Sequence, residues 1–233
     1  MSLWGTVAAQ NDTTRVVAQV SQVKPDMVDE WREAQAEVNA ALKEAGVATR
    51  TVLETMFGDR PEFVTLRPLP SFAEYDGEGL LQQALGEREA AALIARIQAC
   101  EVSNVRFIVN RQNDLVIGDV NAPVRVTTTY RMNPGSGPIY RAFVRDELIP
   151  LNRQALDGGM IAGFSVSIYG QGAPEPGVWS QTTYLPNMAA LDAGGVAARI
   201  LGDAGAQAQG ARANQLRTVI RNVVRRRVPE LSY

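Results

Sequence analysis

Apolar residues change their spacing several times along this chain, and each change marks an element. Arg15 to Val23 alternates and is rich in β-branched residues, the period-two pattern of a half-buried strand. From Pro25 the spacing lengthens. Val28, Trp31, Ala34, Val38 and Leu42 recur at three- and four-residue steps and form one apolar helix face. Pro25 suits the first helical position, and Asp26, Asp29 and Glu30 sit where the positive helix end favours acids. Gly46 marks the stop. Val47 to Phe57 reads as a second strand, Asp59-Arg60-Pro61 as a turn and Glu62 to Arg67 as a third strand. Helical spacing begins at Pro70-Ser71, breaks at Asp76-Gly77 and resumes from Gly79 to Ala99. Ser103 to Arg111 alternates again. The order is β-α-β-β-α-β.

The rest of the chain repeats that plan. Val124 to Met132 is a predicted strand. Gly137 to Leu156 is a helix with Ile139, Phe143, Leu148, Ile149 and Leu151 on its apolar side, bent at Pro150. Met160 to Tyr169 and Val178 to Tyr184 form a hairpin across the Gly/Pro-rich segment 170–177. Met188 to Leu201 is helical, and Gly202 to Gly210 reads as a loop or a loose helix end. Arg217 to Arg227 fits a strand or a helix; its likeness to Arg106–Arg111 favours the strand.

Five landmarks recur in the same order, which is the mark of an internal repeat. Lys24-Pro25 is answered by Asn133-Pro134, Gly46 by Gly158-Gly159 and Phe57-Gly58 by Tyr169-Gly170. Leu69-Pro70-Ser71-Phe72-Ala73 is answered by Leu185-Pro186-Asn187-Met188-Ala189, and the Arg106 strand by the Arg221 strand. The reading is a tail at 1–12 and two repeats, 13–120 and 121–233, each a ferredoxin-like βαββαβ unit of α+β class. Two such units in one chain resemble the dimeric α/β-barrel superfamily, and within it NIPSNAP and antibiotic-biosynthesis-monooxygenase-like proteins. The strand–Lys24-Pro25–acidic helix opening and Phe57-Gly58 followed by Phe63 to Pro70 carry the resemblance. It implies two four-stranded antiparallel sheets packed as a pseudo-dimeric barrel, with the helices outside and a cavity between the sheets. A chain holding both halves needs no second copy to complete its barrel. It is then a monomer with an internal pseudo-two-fold, or an oligomer through its outer helices.

Composition removes several classes of chemistry. The 233 residues include no histidine, which excludes His-ligated metal, a Ser-His-Asp triad and a His base. Cys100 is the one cysteine, so neither an intrachain disulfide nor a Cys-cluster metal site is available. It is predicted at a helix end beside Glu101, where a thiolate is disfavoured. Lys24 and Lys43 are the only lysines and neither lies in a Gly-rich loop, so there is no P-loop. The net charge of −2 speaks against a nucleic-acid surface, and no apolar run is long enough for a membrane helix. No metal and no cofactor are expected. Val7-Ala8-Ala9 resembles the end of a trimmed secretory signal, which would put the protein in the periplasm or outside the cell. The other reading is a frayed end on a cytoplasmic protein. Asn11-Asp12-Thr13 fits a glycosylation sequon.

Strand parity nominates a site. Phe164, Val166 and Ile168 are assigned to the helices, which turns Ser165, Ser167 and Tyr169 inward. Arg50 and Glu54 share a face, as anion ligand and base or as a plain ion pair. Tyr130 and Gln181 complete the candidate set. The run Arg212, Arg217, Arg221, Arg225, Arg226 and Arg227 reads as a solvated strand pairing with helix acids, or as an anionic-partner surface. The expected function is binding of a small organic ligand between the sheets. The alternatives are a cofactor-independent monooxygenase or isomerase acting on an aromatic or polyketide-like molecule, and a filled structural barrel without a ligand.

Overall fold

The computed structural model describes residues 13–233; the signal-like stretch and Asn11 lie outside them. Eight strands form: β1 (Thr13–Val23), β2 (Thr51–Thr55), β3 (Glu62–Pro68), β4 (Glu101–Gly118), β5 (Val124–Met132), β6 (Gly163–Tyr169), β7 (Val178–Leu185) and β8 (Arg217–Arg227). The helices are α1 (Val28–Glu44), α2 (Leu80–Leu85), α3 (Glu87–Cys100), α4 (Gly137–Phe143), α5 (Ile149–Asp157) and α6 (Val196–Leu216).

The strands run in the order β4-β1-β3-β2-β8-β5-β7-β6, and β6 returns to β4. Every pairing is antiparallel. The expectation of two separate sheets is therefore corrected: hydrogen bonds join β2 to β8 and β4 to β6, and the sheet closes into one barrel. β1 and β5 hold matching places in the order. Closure is possible because β4 is longer than its alternation suggested. It bulges between Arg111 and Val116, then follows β6 to the pair Gly118–Gly163. The bulge buries Leu115 and turns Gln112 and Asp114 onto Arg141 of α4, at 2.6 and 2.7 Å. The other seam has only three paired positions, Leu53–Arg227 to Thr55–Arg225. The C-terminal residues extend it: the backbones of Arg50 and Tyr233 exchange two hydrogen bonds of 2.8 Å.

The apolar core lies outside the barrel wall, in two layers under helices. Trp31 of α1 stacks on Phe63 at 4.4 Å and packs with Val38, Val52 and Leu93. Tyr140 and Phe143 of α4 pack with Tyr130, Phe164, Val166 and Trp179. A π-helical turn, Val144–Leu148, joins α4 to α5 ahead of Pro150. Ile139, expected on the apolar side, is exposed. The segment 202–210 is helical rather than a loop. Its alanines favour helix, and Gly202 absorbs the kink at φ 72°.

Candidate functional site

Because the cores lie outside, the inward side chains face one another across the barrel. They enclose a cavity of about 540 Å³ lined from all eight strands. Its two walls differ. Val16 and Ala18 of β1, Val64 and Leu66 of β3, and Phe107 and Val109 of β4 make an apolar wall. Thr127 of β5, Ser165 and Ser167 of β6, and Ser180 and Thr182 of β7 make a wall of hydroxyls. Several of these hydroxyls pair: Thr127 with Thr182 at 3.1 Å, and Ser165 with Tyr184 at 3.0 Å. Phe107 meets Tyr169 across the β4–β6 seam, ring centroids 4.8 Å apart.

Of the seven residues nominated from sequence, Ser165, Ser167 and Tyr169 line this cavity. The other four do not, and their assignment is corrected. Arg50 lies on the outer face under α1, donating to Asn39 Oδ1 at 2.6 Å and to Gln35. It borders a second cavity of about 610 Å³ between the barrel and helices α1–α3. Burial lowers its guanidinium to about 10, so it stays charged at neutral pH. Glu54 is outside too and pairs with Arg32 of α1 at 3.2 Å and Arg226 at 3.6 Å, not with Arg50. Tyr130 is fully buried beneath α4, 5.2 Å from Tyr140. Burial first, and Tyr140 beside it, push its phenol well above its ordinary value. Gln181 accepts from Tyr140 and Arg217, each at 3.3 Å, on that same outer face. All four lie on the covered face. The helices that cover the wall carry their own amides, hydroxyls and cations, which partner Arg50, Glu54 and Gln181, whereas Tyr130 is held there by aromatic packing and its hydroxyl has no hydrogen-bond partner.

The arginines of β8 also divide by parity. Arg226 faces out, whereas Arg225 and Arg227 face the cavity, with Arg111 of β4 and Arg125 of β5. The reading of a solvated arginine strand therefore holds for Arg221 and Arg226, which are half-exposed and ion-paired, and fails for Arg225 and Arg227. Sequence reasoning missed these inward cations, although Arg125 and Thr127 alternate with Val124 and Val126 in the same register as the serines of β6.

One buried acid marks the opposite end of the barrel. Glu62 accepts from Thr55 at 2.7 Å, Arg221 at 2.8 Å and Arg225 at 2.9 Å. Burial works to raise its pKa; the bonds from Arg221, Thr55 and Arg225 outweigh that and hold it at about 2. Cys100 is buried with its thiol pushed up, by burial first and then by Glu30, and donates to the Arg96 carbonyl at 3.3 Å.

Neither a family profile nor a curated protein matches the chain. Solved structures do. An anthrone oxidase-like protein is similar with a TM-score of 0.63 at 10% identity, covering 94% of this chain and 92% of its own. A protein from Fusobacterium nucleatum, described there as a suspected monooxygenase, is similar at 0.60 and 10%, covering 92% of each chain. A chlorite dismutase variant from Candidatus Nitrospira defluvii is similar at 0.52 and 8%, covering 95% and 93%. Identities this low speak for the fold alone, an eight-stranded antiparallel barrel with helices outside it.

Proposed function

We propose that the protein binds a small organic molecule inside its barrel, between the halves 13–120 and 121–233. One observation carries the reading: a cavity of about 540 Å³ that is apolar on one wall and lined by hydroxyls and guanidinium groups on the other. Its volume falls in the usual range for small-molecule sites, roughly 300–1,000 Å³. The same volume speaks against a filled structural barrel. Among the described residues no Asp, Glu or His side chain lines the cavity, so a cofactor-independent oxygenase or isomerase would lack its usual side-chain base there. This favours binding over catalysis, although the fold neighbours include proteins named for oxidation. We further read the halves as tandem ferredoxin-like repeats, and the likeness to NIPSNAP as part of the same proposal.

The test is native mass spectrometry of the purified protein for a co-purified molecule. It is paired with S167W, which fills the cavity from β6. A retained mass that disappears in folded S167W supports the reading. A mass retained equally by both proteins places the molecule elsewhere and overturns it.

A further inference from the structure

The barrel cavity carries positive charge without matching negative charge. Arg67, Arg111, Arg125, Arg225 and Arg227 border it, and among the described residues no Asp or Glu does. Two of these arginines have acids beside them: Arg67 has Glu74 at 2.5 Å and Arg225 has Glu62 at 2.9 Å. Arg111, Arg125 and Arg227 make no ion pair among the described residues, and each keeps a buried Nε with no partner. Arg125 is only 7% exposed and donates one hydrogen bond, 3.1 Å to the Val120 carbonyl. Its guanidinium lies over the Tyr184 ring at 5.1 Å.

The register brings these groups to one end. Arg125 stands opposite Arg225 on one side and Tyr184 on the other. Arg227 stands opposite Leu53 near the end of β8, and Arg111 opposite Ser167 at the β4 bulge. The groups feel one another: burial lowers the Arg125 pKa first, with Arg227, Arg111 and Arg225 adding to it against Tyr184. Crowding like charges in a low-dielectric site is costly unless an anion meets them. Planar guanidinium forks suit carboxylate and phosphate oxygens.

We propose that the barrel holds an amphipathic organic oxyanion, its charged head on Arg111, Arg125 and Arg227 and its apolar body against β1, β3 and β4. The inference rests on the barrel-binding reading above and adds the chemical class. Head and body are both required. A free inorganic anion leaves the wall of Val16, Ala18, Leu66 and Phe107 wet, and a neutral hydrocarbon leaves the arginines unmatched.

Calorimetry with three probes of one shape tests this: 2-naphthoate, 2-naphthyl phosphate and neutral 2-naphthalenemethanol. At least one anion should bind the wild type about tenfold tighter than the alcohol, as charge-assisted bonds require. In R125M that gap should close to within about threefold, while R212M, altered at a surface pair of α6 with Glu147, should keep it. Which anion wins separates a carboxylate ligand from a phosphate. Arg227 is less buried than Arg125, so R227M carries the same test should R125M fail to fold. Three probes binding equally would overturn the anion proposal and leave barrel binding standing. No binding by any probe, or an equal loss in R212M, would overturn it also. A neutral molecule found by native mass spectrometry would sink the anion proposal and uphold barrel binding.

Discussion

At the scale of single residues, two of the buried ionic groups, Glu62 and Arg50, behave oppositely. Glu62 is matched by two arginines and a hydroxyl, and its pKa falls to about 2 from an ordinary 4.5. A depressed acid contributes stability that is complete above its unfolded pKa and is lost as pH falls through the folded one. Wild-type stability should therefore decline between about pH 4.5 and pH 2, read by urea midpoints across that range. E62Q should flatten this decline and cost about 3 kcal/mol at neutral pH, because Arg225 loses its counter-charge while remaining buried. An E62Q protein as stable as wild type at pH 7 would show that the cluster contributes nothing. Arg50 has only amide partners, Gln35 and Asn39. Removing its charge relieves a desolvation cost and removes two hydrogen bonds, so R50M should cost only about 1 kcal/mol. It should leave binding of any barrel ligand unchanged, since Arg50 lies on the far side of the wall. Reduced ligand affinity in folded R50M would contradict that placement.

At the scale of elements, the order of strands and helices was readable because most of them have one plainly apolar face. β6 shows why a face was also readable there: Phe164, Val166 and Ile168 belong to the helix side, which leaves the serines inward. β2 and β7 were not readable in this way. Thr51, Leu53 and Thr55 alternate with Arg50, Val52 and Glu54, so both faces mix polar and apolar residues. A polar residue can be satisfied by a covering helix as well as by a cavity. Closure was unreadable for a different reason: it depends on the bulge in β4, which pattern alone does not place. Two glycines make the seam after that bulge. Gly118 has φ +68°, and a Cβ on Gly163 would lie 2.8 Å from the carbonyl oxygens of both Ile117 and Asp119. G163A must push backbone against backbone, with no flexible side chain to yield. It should cost about 2 kcal/mol or more and loosen the pairing of β4 with β6. Denaturant midpoints and amide exchange at Phe164 to Ile168 read both effects. An unperturbed seam in G163A would mean that the strands separate there at little cost.

At the scale of the whole molecule, one wall is shared by two cores. α1–α3 cover one core and α4–α6 the other, with Leu115 crossing into the second and Val228 and Leu231 into the first. Two cores alone would let the chain unfold as two units, but the seams argue otherwise. β4 passes from the first half into pairing with β6, and β8 passes from the second half into pairing with β2. The Glu62 cluster bonds β3 to β8 across the same boundary, and Arg141 ties α4 to the β4 bulge. Opening either half leaves edge strands of the other unpaired and exposes the cavity wall, so the halves should open together. Native-state exchange should give the slowest amides of β1, around Ala18, and of β5, around Thr127, the same opening free energy. Both seams of the barrel are closed within one chain, so the urea midpoint should also stay fixed over about a hundredfold range of protein concentration. Two distinct opening energies would mean that the seams are weaker than either core. A midpoint rising with concentration would mean that the barrel is completed between chains.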